Sequence, residues 1–125
     1  MTGKLAIDAR FCGPPGTANG GYVAGRLAQG LGGAVEVTLR APAPLGTELE
    51  IRDDADGARV LVLDGRELAR ALRSELTLDV PARPTRELVA AHAGDCRAMR
   101  THPFPKDFVC GPARLPGDGL RIFPG

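Results

Sequence analysis

The chain has 125 residues, enough for one domain with a core of its own. Sixteen Lys and Arg against fifteen Asp and Glu leave a formal charge of +1, so no long-range field draws nucleic acid or an anionic membrane, and neither is expected as a partner. No run approaches the ~20 apolar residues of a membrane span, and MTGKLAIDAR lacks the apolar stretch of a signal peptide, so a cytoplasmic location is expected.

Leu5, Ile7, Ala9 and Phe11 alternate with Ala6, Asp8 and Arg10, which predicts a first strand with one buried face. GPPG at 13–16 is a turn, and Thr17 or Asn19 can cap the helix that follows. Over 20–31, Val23, Ala24, Leu27, Ala28 and Leu31 recur at helical spacing, and only Arg26 and Gln29 are strongly polar. Such a helix is expected to be buried on most sides. Residues 34–40, AVEVTLR, alternate cleanly and predict a strand. Leu49 and Ile51 resume the alternation, and VLVL at 60–63 is the next strand.

Asp64-Gly65 is a two-residue hairpin signal. Residues 66–78 are ambiguous, because Leu68, Leu72 and Leu76 fit a helix by spacing while Leu72, Leu76 and Leu78 fit a strand by parity. The hairpin demands a returning strand, and the segment is read as one. After Val80 come PARP, a short helical piece around 88–91, and a stretch with Pro103, Pro105, Pro112, Pro116 and Pro124. The domain is therefore expected over 1–80, with 81–125 as a Pro/Gly-rich tail.

Strand, Gly-rich turn and helix are also the layout of a phosphate-binding loop, and GPPGTANG at 13–20 imitates one. Where that loop needs Lys followed by Ser or Thr, this chain has Asn19 and Gly20, so the chemistry of nucleotide hydrolysis is missing.

The run FCGPPGTANGGYVAGRLA, followed by VEVTLRAPAPLGTELEI, resembles thioesterase-like proteins of the hot-dog superfamily, of the actinobacterial type, over about 5–80. The resemblance implies an α+β hot-dog fold, an antiparallel sheet wrapped around one central helix in the order β-α-β-β-β-β. A second resemblance lies at 108–125, where FVCGPARLPGDGLRIFPG is similar to the opening of a further hot-dog unit. Related proteins show Cys-x-x-Cys-Gly there, and Asp107 stands in the place of the first Cys. The chain thus looks like one hot-dog half plus the start of a second.

The first-turn amides of a helix have no intrahelical acceptor and carry the positive end of its dipole, and Gly20 and Gly21 leave room for an oxygen to approach them. In hot-dog thioesterases this is where the thioester carbonyl is polarised, so the resemblance implies Asn19, Gly20 and Gly21 as catalytic residues, with Thr17, Tyr22 and Val23 contacting substrate. The alternative is that the glycines serve close packing. The departure from the family is the acid: no Asp or Glu occurs from Ala9 through Val35, and Asn19 sits where relatives often carry His. Losing general acid–base help typically costs ~10²–10⁴ in rate.

Glu36, Glu48 and Glu50 read as a solvated strand face, although each could reach a partner's site, and Cys12 reads as a small buried thiol. Cys12, Cys96 and Cys110 are an odd set with no secretory signal and are taken as free. His92, Cys96, His102 and Cys110 match no tight zinc spacing, so no metal or cofactor is expected. The expectation is an acyl-thioester (acyl-CoA) binding domain, hydrolysing slowly or not at all. The alternative is a non-catalytic interaction domain pairing with another copy or a separate second half. A homodimer or larger homo-oligomer is expected, because a single such sheet leaves an edge unpaired.

Overall fold

Leu5, Leu49 and Leu61 lie on neighbouring strands with almost no exposed surface, and the core forms on the sheet face they share. The computed structural model describes residues 3–123; Pro124 and Gly125 of the expected tail lie outside them. Five strands, β1 (Gly3–Ala6), β2 (Val35–Leu39), β3 (Glu48–Asp53), β4 (Arg59–Leu63) and β5 (Arg66–Arg73), make one antiparallel sheet in the order β1-β3-β4-β5-β2. Helix α1 (Gly20–Ala28) enters between β1 and β2 and packs on β5, β2 and β4. This is the hot-dog arrangement, α+β, in the expected element order. Two short helices follow the sheet, α2 (Arg86–His92) and α3 (Arg97–Arg100). No helix among the described residues is long and apolar enough to cross a membrane.

The first strand is shorter than its alternation predicts. It pairs with β3 only over Gly3–Ala6, and Ala9–Phe11 turn into a 3-10 helix whose start is capped by Asp8, its carboxylate accepting the Arg10 N–H at 2.8 Å. Ile7 is still fully buried, whereas Phe11 leaves the sheet for a ring stack described below.

The β4–β5 hairpin explains the ambiguity of 66–78. Asp64 and Gly65 both have positive φ, 49° and 78°, as a two-residue type I′ turn requires. Leu61 pairs with Ala69 but Val62 with Glu67, so β5 carries one extra residue at this step. The bulge puts Leu68 and Ala69 both into the core, with Ala71 beyond them, and strict parity fails. The strand stops at Arg73, opposite Val35, where its partner β2 begins.

Helix α1 is not buried on most sides, contrary to expectation. Val23 and Leu27 are its buried residues, and Gly21, Gly25 and Arg26 face outward. A sheet on one side covers only one stripe of a helix, and among the described residues α1 is met away from the sheet only near Tyr22, by Phe11 and by Phe108 of the tail.

The expected boundary near Val80 does not divide packed chain from unpacked chain. Regular pairing ends at Arg73 and everything from 75 to 95 is exposed. Beyond residue 103 the chain then returns to the body: the Phe108 N–H donates to the Cys12 carbonyl at 2.8 Å.

Candidate functional site at the start of helix α1

Asn19 is the N-cap of α1. Its Oδ1 accepts the Tyr22 N–H at 3.1 Å, a contact worth about 1 kcal/mol against Ala. The other end of the same amide donates from Nδ2 to Asp107 Oδ2 at 3.1 Å. Both ends of the Asn19 side chain are therefore engaged within the protein, and its role is to position the helix start and the tail.

Asp107 is the carboxylate that the helix sequence lacks, delivered from 88 residues downstream and only 7% exposed. Its Oδ1 accepts the N–H groups of Val109 at 2.8 Å and Cys110 at 3.0 Å, while Oδ2 takes the Asn19 amide. Burial pushes the Asp107 pKa up, but the Cys110 and Val109 amides and the Asn19 side chain together hold it below the ordinary carboxylate value. An ionised acid with its lone pairs filled this way is a clamp, and a poor proton acceptor for substrate chemistry. Its charge beside the helix start also offsets the positive end of the dipole.

The aromatic residues close the same corner. Phe11 stacks on Tyr22 with centroids 3.9 Å apart and planes 9° apart, and Phe108 meets Phe11 edge-on at 4.8 Å. Arg26 donates to the Tyr22 hydroxyl at 3.2 Å. Arg114 holds the tail from its far side, donating to the Arg10 carbonyl at 2.5 Å, to Cys12 Sγ at 3.2 Å and to Asp118 at 3.0 Å.

Six site residues within 17–23 were expected to act together, and the helix divides them. Thr17, Gly20 and Val23 line one groove of about 370 Å³, walled by Pro14, Leu39 and Pro42. A Cβ on Gly20 would come within 2.8 Å of Leu39 Cδ1, so this glycine is where the helix approaches β2. Thr17 spends its hydroxyl on the Pro14 carbonyl at 3.0 Å, and Val23 is core. Asn19, Gly21 and Tyr22 line a second groove of about 440 Å³, completed by Gly25, Arg26 and, from the tail, Phe108, Val109 and Leu120. The surface of that groove is almost wholly apolar, and Gly21 and Arg26 are both among its lining residues.

Asp107, Phe108, Gly25 and Leu120 were not among the expected site residues. The one local signal was Asp-x-x-Cys at 107–110, since an Asp whose carboxylate accepts backbone N–H groups two and three positions on is a turn-former.

Among the other candidates, Glu48 pairs with Lys4 at 2.6 Å and Glu50 lies 3.6 Å from Arg52, while Glu36 is exposed. Cys12 is half-buried and donates to the Lys106 carbonyl at 3.0 Å. His102 Nε2 lies 3.2 Å from Cys110 Sγ. Burial and then the Asp107 charge push the Cys110 thiol pKa up, which keeps it protonated. All three cysteines are free, and no group of three or more His, Cys, Asp or Glu among the described residues is placed to hold a metal ion.

No family model matches the chain, and no curated protein matches it. A crystal structure of a protein described as belonging to the thioesterase superfamily is similar to it, with 22% identity and a TM-score of 0.48 over 56% of this chain and 45% of that one. The chain thus spans less than half the length of that structure.

Proposed function

We propose that the groove between α1 and the tail binds an acyl thioester, acyl-CoA being the expected form, and that turnover is slow or absent. The observation that carries this reading is the second groove itself: an apolar trough of about 440 Å³ lined by Gly21 and Arg26 of α1 and by Phe108, Val109 and Leu120 of the tail. The acyl chain lies against Phe108, Val109 and Leu120, the thioester carbonyl accepts from the first-turn amides, and Arg26 meets an anionic headgroup. Slow turnover follows from the acid. Asp107 is ionised, filled with hydrogen bonds and close enough to the helix start to oppose a developing oxyanion.

Gly25 gives the clean test. An added Cβ there meets no heavy atom within 4 Å, whereas one at Gly21 would press on Asn19 Oδ1 at 3.3 Å and disturb the cap. Gly25→Leu fills the trough and removes a helix glycine, so stability should rise by up to ~1 kcal/mol while acyl-CoA binding, measured by calorimetry, is lost. Equal affinity in the two proteins overturns the assignment. A second reading, a non-catalytic pairing domain, is favoured by the open edge of β2 and is compatible with the same fold.

A further inference from the structure

Where the chain returns after the exposed arm of 75–95, one side chain ties the tail wall of the second groove to the body of the molecule. Arg114 turns inward from the tail loop, and its side chain is only 9% exposed. Its guanidinium makes four hydrogen bonds, from Nε to the Lys106 carbonyl at 2.9 Å, from Nη1 to Asp118 at 3.0 Å, and from Nη2 to the Arg10 carbonyl at 2.5 Å and Cys12 Sγ at 3.2 Å. Arg10 and Cys12 precede α1, whereas Lys106 and Asp118 flank Arg114 in the tail. The same guanidinium lies over the Phe108 ring, 5.6 Å from its centroid.

The tail is shaped around this side chain. The Phe108 carbonyl accepts the Leu120 N–H at 2.8 Å and the Val109 carbonyl accepts the Ile122 N–H at 2.9 Å, which closes the loop that carries Arg114. The Arg121 guanidinium donates to the Arg114 carbonyl. Gly119, with φ of 80°, is where Arg114 passes, since a Cβ there would come within 2.7 Å of Arg114 Cδ and of the Phe108 carbonyl oxygen. Asp107 on Asn19 and the Phe108 N–H on Cys12 fix the backbone at this point. Neither sets the direction of the Phe108 ring, which meets Phe11 and Tyr22 edge-on and has the Arg114 guanidinium over it.

We propose that Arg114 is a positioning residue for the groove: it holds the Phe108 ring in place as groove wall and so sets how tightly an acyl chain is gripped. For the ligand this rests on the acyl-thioester reading above, and for the ring it rests on geometry alone. A guanidinium is needed because one planar group must serve four acceptors and cover a ring, and a lysine ammonium cannot span them.

Arg114→Lys keeps the charge and gives up the fork, while Arg114→Ala leaves a gap the size of a guanidinium ion. Both should bind acyl-CoA about tenfold more weakly by calorimetry, with the far-UV circular dichroism unchanged. Both should also alter the near-UV circular dichroism of Tyr22, the one tyrosine in a chain without tryptophan. Millimolar guanidinium, far below denaturing concentrations, should restore the affinity and the Tyr22 band in Arg114→Ala. Because Arg114 acts through the ring, adding either Arg114 variant to Phe108→Leu should cost less than about a further twofold in affinity. Wild-type affinity in both Arg114 variants overturns the proposal, as does an unaltered Tyr22 band, a failure of guanidinium to rescue, or an undiminished loss in the Phe108→Leu background. Should Arg114→Ala not fold, Arg114→Lys carries the affinity, Tyr22 and Phe108→Leu comparisons. A wild type that binds no acyl-CoA sinks the ligand reading instead, and the Tyr22 band with its rescue still decides whether Arg114 holds Phe108.

Discussion

Four donors converge on the two oxygens of Asp107, and removing that carboxylate leaves the Asn19 amide, the Val109 and Cys110 N–H groups and the Cys110 thiol without it. Asp107→Ala should cost about 1–3 kcal/mol in chemical denaturation, the range for unsatisfied buried donors, with faster exchange at the Val109 and Cys110 amides and little change in the sheet. The pH dependence follows from the direction of the shift. With a folded pKa below the unfolded one, Asp107 stabilises the fold fully above the ordinary carboxylate value of ~3.9, and that contribution fades as pH falls through the lower folded value. Glu67 acts in the same sense, held low first by its hydrogen bond from Arg70 and then by Arg40, against burial. Asp107→Asn should therefore shrink the acid-induced loss of stability below about pH 4, and Glu67 should leave a remainder. An acid titration of the unfolding free energy that is identical in wild type and Asp107→Asn would show that the clamp carries no charge-dependent stability.

At the scale of elements, the β4–β5 hairpin and the tail loop each rest on a glycine for a different reason. Gly65 has φ of 78°, and Gly65→Val should cost about 1–2 kcal/mol through backbone strain, read as a fall of several degrees in Tm with the fold retained. Gly111 lies where the tail crosses itself, and a Cβ there would sit 2.5 Å from the Asp107 N and O atoms. Gly111→Ala should thus displace the Asp107 turn and loosen the tail while the sheet stays intact, a result that amide exchange separates from global unfolding. The outer sheet face has its own support: Val60 and Val62 are buried outside the core cluster, flanked across the strands by Arg52, Arg70, Glu50 and Glu67. Arg70 ties the turn before β4 to β5 through Asp54 at 2.5 Å, Asp56 at 2.9 Å and Glu67 at 2.9 Å.

For the whole molecule, the returning tail is part of the groove and the exposed arm is not. Deleting 101–125 removes Asp107, Phe108, Val109 and Leu120 together, which strips one wall of the groove and uncovers Phe11 and Tyr22. The truncated chain should keep its β circular-dichroism signal, lose roughly 2–4 kcal/mol from an aromatic contact and the clamp, and fail to bind acyl-CoA. A truncated protein that is unfolded would make the tail integral to the domain. Retained binding would move the ligand to the groove lined by Thr17, Gly20 and Val23.

Local pattern carried the sequence a long way. The alternation of Val35, Val37 and Leu39, the Asp64-Gly65 turn, the Asn19 cap and the lack of acid in α1 all depend on residues a few positions apart, and each is legible without coordinates. The candidate site was legible only as a contiguous stretch. Successive helix residues point about 100° apart, so Gly20 and Gly21 look into different grooves, which only the position of α1 on the sheet reveals. The bulge in β5, which breaks parity at Leu68 and Ala69, is imposed by pairing with β4. The meeting of Asn19 with Asp107 was decided entirely by tertiary structure. It depends on the chain returning across 88 residues to fill an amide and a helix terminus, and no periodicity encodes a contact at that separation.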